Sequence, residues 1–420
     1  VKFPAYPRTK TSGVEWLGDV PAHWETLRIK DVGTLRGGSG FPHEEQDVEG
    51  EELPFYKVGD LKASVDARVM GNPEHTISKE TAKKLRAAII PAEAIVYAKI
   101  GAALLLNRRR ITFVNCCIDN NMTAYLPEKQ RIRTDWAFYW LSTLDFGEFM
   151  NPGAVPSFSE GYQSILPVLV PPLPEQRAIV AFLDRERRRV DRLVAKKREL
   201  IERLKEKRTA LISRTVTRGL PPAAARAAGL PENPPLKPSG FDWLGDIKRG
   251  KINLDEVKKV RSEDIPWGRN PLLNLGEILV VRSGAYTGDS AIVSSSVAGC
   301  IAGYDMVLSV KRGYPAFVAW ALLSEYLLQG QIYLERMRAA QPHLNAEELG
   351  GLVILAPPLS EQAAIAAYLD KETAKLDALV GEVDEAVERL QEYRTALITA
   401  AVTGKIDVRK AGQRISDPPL

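Results

Sequence analysis

Lys99 and Arg282 each follow an apolar run directly and precede a glycine by two residues, in Ile95-Val96-Tyr97-Ala98-Lys99-Ile100-Gly101 and in Ile278-Leu279-Val280-Val281-Arg282-Ser283-Gly284. A cation held at a strand end suits phosphate oxygens or the acceptor edge of a guanine. Other side chains of the same chemistry gather around each. In the first half they are Arg36, Lys57, Lys62, Asn107, Arg108, Arg109 and Arg110, and Asn107 to Arg110 read as the basic tip of a hairpin. In the second half they are Arg269, Asn270, Ser283, Tyr286, Lys311, Arg312, Gln341 and His343. Any one of these alone is as well explained as a solvated surface group. Recurrence of a cation at one place in two copies is what sets Lys99 and Arg282 apart.

Catalytic and metal chemistry find no comparable footing. Asn233-Pro234-Pro235-Leu236 and Asp417-Pro418-Pro419-Leu420 carry leucine where an amino-methyltransferase needs an aromatic ring to stack on a flipped base, and no glycine-rich cofactor loop accompanies them. The four histidines, His23, His43, His75 and His343, lack zinc spacing, and Cys116, Cys117 and Cys300 lack metal-ligand spacing. Adjacent Cys116 and Cys117 read as small buried apolar side chains. Gly37-Gly38-Ser39-Gly40 matches no nucleotide-binding loop and reads as a turn. No catalytic residue, metal or cofactor is expected.

The elements that must position these residues are duplicated. Residues 171–217 and 357–403 align without a gap at roughly half identity, which makes the chain an internal repeat. Each copy opens on Pro-Pro-Leu-x-Glu-Gln, with prolines and an acidic residue where a helix start tolerates them. Apolar positions then step by four and three. In the first copy they are Ile179, Leu183, Glu186, Val190, Leu193, Lys197, Leu200, Leu204, Lys207 and Leu211, with three polar interruptions. In the second they are Ile365, Leu369, Glu372, Leu376, Leu379, Val383, Ala386, Leu390, Tyr393 and Leu397. This heptad spacing predicts two helices of about 60 to 65 Å each, paired as a coiled coil. The first is basic between Arg185 and Arg208 and the second acidic between Lys371 and Arg394, so the two are expected to pair with each other.

A second repeat opens each half. Ser12 to Val20 contains Trp-Leu-Gly-Asp, as does Ser239 to Ile247, an offset of 227 residues, whereas matching positions nearer the helices are offset by about 180 to 186. Asn121-Met122 matches Asp305-Met306, and Val155-Pro156-Ser157-Phe158-Ser159 matches Gln341-Pro342-His343-Leu344-Asn345. The second unit therefore lacks roughly 40 residues, mostly before its first matching strand. Leu53 to Val58 and Ala94 to Ile100 read as strands, and Ser78 to Ala88 and Thr134 to Leu144 as helices. The domain reading is 1–170, a long helix over 171–218, a Pro/Ala linker over 219–239, a shortened unit over 240–356, a second long helix over 357–404 and a tail over 405–420. The fold class is α+β, with two globular units separated by two antiparallel helices. A chain of 420 residues with net charge +4, no membrane-length apolar run and no leader-like start is expected to be soluble and cytoplasmic, and its charge permits nucleic-acid binding.

Two copies of Trp-Leu-Gly-Asp before a variable unit, each followed by Pro-Pro-Leu-x-Glu-Gln and a long helix, resemble the specificity subunit of type I restriction-modification enzymes. The resemblance covers nearly the whole chain. It implies two target-recognition domains that each read one half of a bipartite double-stranded DNA site. It further implies docking of two DNA adenine methyltransferase subunits, joined by restriction subunits in the full complex. Phe55-Tyr56-Lys57-Val58-Gly59-Asp60-Leu61 and Ala98-Lys99-Ile100-Gly101 look like parts of a common type of target-recognition domain. Two other readings stand beside it: a coiled-coil scaffold that does not touch DNA, and the specificity subunit of a modification-only phage-defence system.

Overall fold

The structure is a computed structural model that describes residues 3–46, 49–62, 68–151, 155–232, 272–284, 286–302, 305–333 and 343–409. Arg269, Asn270, Gln341, the second Trp-Leu-Gly-Asp, Asn233-Pro234-Pro235-Leu236 and Asp417-Pro418-Pro419-Leu420 lie outside the described residues. Two compact units emerge, one made of residues 1–194 with 388–420 and the other of residues 195–387. Among the described residues no helix is long and apolar enough to cross a membrane.

The first unit is built on four antiparallel strands, β1 (Gly33–Gly37), β2 (Ile95–Ala98), β3 (Arg109–Ile111) and β4 (Met122–Pro127), in the order β1-β4-β2-β3. Register is fixed by pairs such as Thr123 with Tyr97 and Ile95 with Ile111. A smaller sheet pairs Leu53–Tyr56 antiparallel with Thr76–Ile77 and parallel with Cys117–Ile118. Cys116 and Cys117 are both buried, which pushes their thiols up to about 12 and about 11. Helix α1 (Thr134–Ser142) buries Trp136 and Trp140. Their indole N–H groups donate to Leu169 O and Pro167 O, at 2.9 and 3.0 Å, so neither ring is buried with an unmet donor.

Gly37 to Gly40 is not the turn its composition suggests. Gly37 ends β1, the Gly38 N–H donates to Met122 O and the Ser39 N–H to Ile118 O, so the backbone stays extended. A Cβ on Gly38 would collide with the backbone of Asp119. Close approach of two strands, not chain reversal, requires the missing side chain.

Helix α2 spans Leu173–Arg218. The second unit repeats the plan with β5 (Ile278–Val280), β6 (Ser290–Ile292) and β7 (Met306–Leu308) in the order β6-β5-β7, followed by α3 (Pro315–Leu322) and α4 (Leu359–Val402). Ile278 pairs with Ile292 on one side and Leu308 on the other, as Ile95 pairs with Ile111 and Tyr125. The Pro/Ala stretch after α2 is partly structured: Pro222–Ala227 is helical, and Leu220 and Ala225 are buried in the core of the second unit.

Why the long helices start where they do is visible in the Glu-Gln pair. Gln176 is fully buried; its carbonyl accepts from the Arg133 N–H at 2.9 Å, and its amide donates to Pro171 O at 2.8 Å and Arg131 O at 2.9 Å. Gln362 repeats this on the second copy, accepting from the Tyr314 N–H at 2.8 Å and donating to Pro357 O at 2.7 Å. Arg133 and Tyr314 are the N-cap residues of α1 and α3, so one side chain fastens the short helix to the start of the long one in each unit. Gly219 and Gly404, at φ of 81° and 71°, close the long helices in the left-handed conformation that favours glycine.

The contact seam departs from the heptad reading. Ile179, Val190, Ile201 and Ile212 are buried at a spacing of eleven, and Ile365, Leu376 and Val387 repeat that spacing on α4. Leu193, Leu200, Leu379 and Tyr393, placed on the seam by the heptad reading, are 40 to 45% exposed. Eleven residues over three turns is 3.67 per turn, nearer the relaxed helix than 3.5, so the stripe moves one residue forward after Val190. The helices pair antiparallel in both units, through Arg394–Asp191 at 2.9 Å in the first and Arg208–Asp377 at 3.1 Å in the second. The Arg208 pair runs with the overall sign difference of the helices; the Arg394 pair runs against it.

Candidate nucleic-acid interface

In the first unit the cations converge at the end of the sheet where β2 finishes. Lys99 follows β2 directly; its N–H donates to Asn121 O and its carbonyl accepts from Phe158 N–H, both at 2.8 Å. Ile100 bridges Ser157, and Gly101 adopts a φ of 78°, which turns the chain away after the cation. Lys99 Nζ lies 3.3 Å from Glu160 Oε1 and is itself mostly covered, with 18% of its side chain exposed. Arg36 lies opposite Ala124 on the neighbouring edge and is exposed. Lys57, at the end of Leu53–Tyr56, rests over the Phe41 ring at 5.5 Å and donates to Gln46.

Asp119 lies among these groups. Burial raises its carboxyl above the ordinary range, while the Asn121 N–H and the charges of Lys57 and Lys99 draw it back down. A half-buried carboxylate near two lysines lowers the local positive charge. Lys57 also donates its backbone N–H to Asp60 at 2.6 Å. Glu160, Asp119 and Asn121 are thus parts of the site that a search for cations misses. Their signal in the sequence is adjacency: Glu160 follows the repeated Pro-x-x-Ser/Asn element, and Asn121 belongs to the repeated x-Met pair.

The four residues from Asn107 to Arg110 do not form a hairpin tip. Asn107 sits at a φ of 51° after a short helix, Ala102–Leu105, and Arg109 already belongs to β3. Arg109 is buried, donates to Asn107 O at 2.7 Å and to Leu144 O, and stacks 3.8 Å from the Phe146 ring centroid. Burial pushes its guanidinium down to about 10. Asn107 donates to Asp145 at 2.7 Å and accepts from the Phe146 N–H at 2.8 Å. Both residues tie the sheet to the segment after α1 and are withdrawn from any surface role. Arg110 is half-buried on β3 and donates to Arg109 O. Arg108 is half-buried at the Lys99 end of the sheet, and Lys62 is exposed at the end of a 3-10 turn, Val58–Lys62.

The second unit builds the same turn from different residues. Ser283 bridges His343 as Ile100 bridges Ser157, and the Leu344 N–H donates to Arg282 O at 2.8 Å as Phe158 donates to Lys99 O. Gly284 repeats the positive φ, at 92°. Phe158 and Leu344 are both buried, and Ser159 and Asn345 both cap the short helix that follows. Tyr286, 51% exposed, and Ser283 lie in the turn beyond Arg282. Lys311 and Arg312 do not join this group. They follow β7 at the Ile278 end of the sheet, next to Gly313, which faces Gln362, and so stand by the start of α4.

Residues 21–203 match the family model described as type I restriction modification DNA specificity domain. A specificity subunit of the type I restriction enzyme MjaIX of Methanocaldococcus jannaschii is 23% identical over 139 residues, an alignment that spans 32% of this chain and 30% of that protein. Two solved structures share the fold. One comes from work on complex assembly and conformational transition of the type I R-M system, with a TM-score of 0.61 at 16% identity, covering 92% of this chain and 99% of the other. The second is the HsdS subunit from Thermoanaerobacter tengcongensis, with a TM-score of 0.51 at 15% identity, covering 92% and 98%. The chain thus carries a type I restriction modification DNA specificity domain over residues 21–203, set in a duplicated sheet-and-long-helix fold like that of the two solved structures, and these likenesses together support kinship with type I specificity subunits.

Proposed function

We propose that the chain is the non-catalytic, DNA-reading subunit of a cytoplasmic type I restriction-modification complex. Each unit is a target-recognition domain for one half of a bipartite double-stranded site. Two methyltransferase subunits assemble on the chain, and restriction subunits join through them. The observation that carries this reading is the repeated turn: a cation at the end of a central strand, bridged by the segment before a capped short helix, occurs at Lys99 and again at Arg282. Two similar cations on two similar platforms suit a ligand that presents similar chemistry twice, as a duplex does.

The test pairs the chain with its methyltransferase subunit and reads the methylated motif and the affinity for it. Lys99→Ala and Arg282→Ala are each expected to weaken binding by about 1 to 3 kcal/mol, with sequence preference relaxed in one half of the motif only. A loss spread evenly over unrelated DNA assigns the residue to a phosphate. An unchanged motif and affinity in both variants sinks the equivalence, and a complex without any sequence-dependent shift sinks the reading as a whole.

A further inference from the structure

The outer edge of the sheet is treated differently in the two units. In the first, Arg68 to Met70 lies beside β3 as a short parallel strand. Ile111 donates its N–H to Arg68 O at 2.7 Å and accepts from the Met70 N–H at 2.9 Å. Arg68 then reaches Asp184 on α2, at 2.6 Å, and rests 5.9 Å from the Tyr139 ring centroid, while the Tyr139 hydroxyl donates to the same carboxylate at 2.5 Å. Every receiving group has a counterpart in the second unit. Ile292 stands for Ile111, Trp320 for Tyr139 and Asp370 for Asp184, and Trp320 Nε1 donates to Asp370 Oδ1 at 2.8 Å as the tyrosine does.

The stretch that carries this segment is shorter in the second half. Trp16 precedes Ile95 by 79 residues, whereas Trp243 precedes Ile278 by only 35. Beside the matching edge of the second unit the described residues form a groove of about 420 Å³, lined by Ile292, Val293, Tyr314, Ala319, Trp320 and Asp370. The Val293 N–H donates inward to Glu277 O, so the alternation of an antiparallel pair turns the N–H and C=O of Ile292 toward this groove. Among the described residues no backbone partner meets them. An edge with a free amide and carbonyl, an apolar floor and one carboxylate at the far wall is a template for a strand with one cationic side chain.

We propose that this groove docks an extended segment of a partner protein that carries an arginine followed by two apolar residues. The segment adds as a parallel strand on Ile292, its guanidinium pairs with Asp370 over the face of Trp320, and its apolar residues cover Ile292 and Ala319. The occupant's chemistry is that of Arg68-Val69-Met70, the sequence that fills the matching groove of the first unit. The proposal does not depend on DNA reading, because none of these groups belongs to the Lys99 or Arg282 turns.

A synthetic peptide with the sequence of residues 66–73, Asp-Ala-Arg-Val-Met-Gly-Asn-Pro, is the probe, and the full chain is the receptor. Backbone amide exchange and Trp320 fluorescence report binding. The peptide is expected to protect the Ile292 amide, and a peptide with alanine for its arginine to bind at least tenfold more weakly. Asp370→Asn, which still accepts from Trp320, is expected to lose the same factor, whereas Asp184→Asn leaves peptide binding unchanged. Absence of binding, or binding indifferent to both the arginine and Asp370, overturns the proposal. An Ile292 amide already protected in the peptide-free chain also overturns it, because the edge is then covered by the chain itself.

Discussion

The first unit supplies the strand that closes its own sheet edge, Arg68 to Met70 on Ile111, whereas among the described residues of the second the same edge at Ile292 faces a groove. Their interiors agree far better. Gln176 and Gln362 both accept from the same kind of N-cap, Lys99 and Arg282 occupy the same turn, and Tyr139 and Trp320 reach matching aspartates, Asp184 and Asp370, on the long helices. What the copies share is what attaches a sheet to a long helix and presents one cation. What they do not share is how the sheet's margin is covered, where a loop can be lost without opening the core.

The largest expected contrast between the units is in alkali. The hydroxyls of Tyr6, Tyr56, Tyr97, Tyr125 and Tyr139 in the first unit are buried, which raises each well above the ordinary tyrosine range. In the second unit only the shallower Tyr326 and Tyr368 are displaced in that direction among the described residues. A hydroxyl whose folded pKa lies above its unfolded value of about 10 contributes stability that is intact below pH 10 and lost above it, at about 1.4 kcal/mol per pH unit. Arg109 works the other way: its folded value near 10 lies below the free value, so its contribution grows over the same window and offsets about one tyrosine. Urea midpoints are therefore expected to fall steeply between about pH 10 and pH 11. Tyr125→Phe should flatten that fall, and Tyr326→Phe should leave it nearly as it was. Equal flattening by both would remove the contrast.

The glutamine pair gives a second contrast. Gln176→Leu strands the Arg133 N–H and two carbonyls in a buried site, whereas Gln362→Leu strands the Tyr314 N–H and one. At about 1 to 3 kcal/mol per orphaned group, the first is expected to cost about 3 kcal/mol or more and the second about 2. Denaturant titrations of both variants measure it. A larger loss at Gln362 would mean that the shared bonds do not carry shared weight.

How much of this could be read beforehand depends on where a residue's partner lies. The long helices were plain, because their apolar stripe is local and repeated. Their seam was not: Leu193-Val194 and Leu200-Ile201 are adjacent apolar pairs, so a period of 3.5 and one of 3.67 both find apolar residues, and only burial selects Ile201. The turn at Lys99 was legible because a second copy marks it. Arg109 was misplaced because charge alone says nothing of Leu144 O, 35 residues away, and Gln176 showed a helix start but not Arg133, 43 residues upstream. Gly38 carried a signal of the wrong kind, since a glycine cluster suits a close approach as well as a turn.

The smallest effect tests whether the copies match in strength as well as in place. Asp191 and Arg394 on one side, and Asp377 and Arg208 on the other, are one contact seen twice, each residue displaced by 186 positions from its counterpart. Their surroundings differ. Arg208 and Asp377 are 17% and 26% exposed and Arg208 also lies 5.6 Å from the Trp320 ring centroid, whereas Arg394 and Asp191 are 38% and 43% exposed. Water screens the more open pair and leaves its side chains more freedom to lose, so its coupling should be smaller. Double-mutant cycles with Asp→Asn and Arg→Gln are expected to give about 0.5 to 1 kcal/mol for Arg208–Asp377 and about 0.2 to 0.5 for Arg394–Asp191. Added salt should shrink the second more than the first, because screening acts on exposed charges. If the order reverses, exposure does not set the strength of this repeated contact, and the charge of the surrounding helix, basic about Asp191 and acidic about Arg208's partner, becomes the better account.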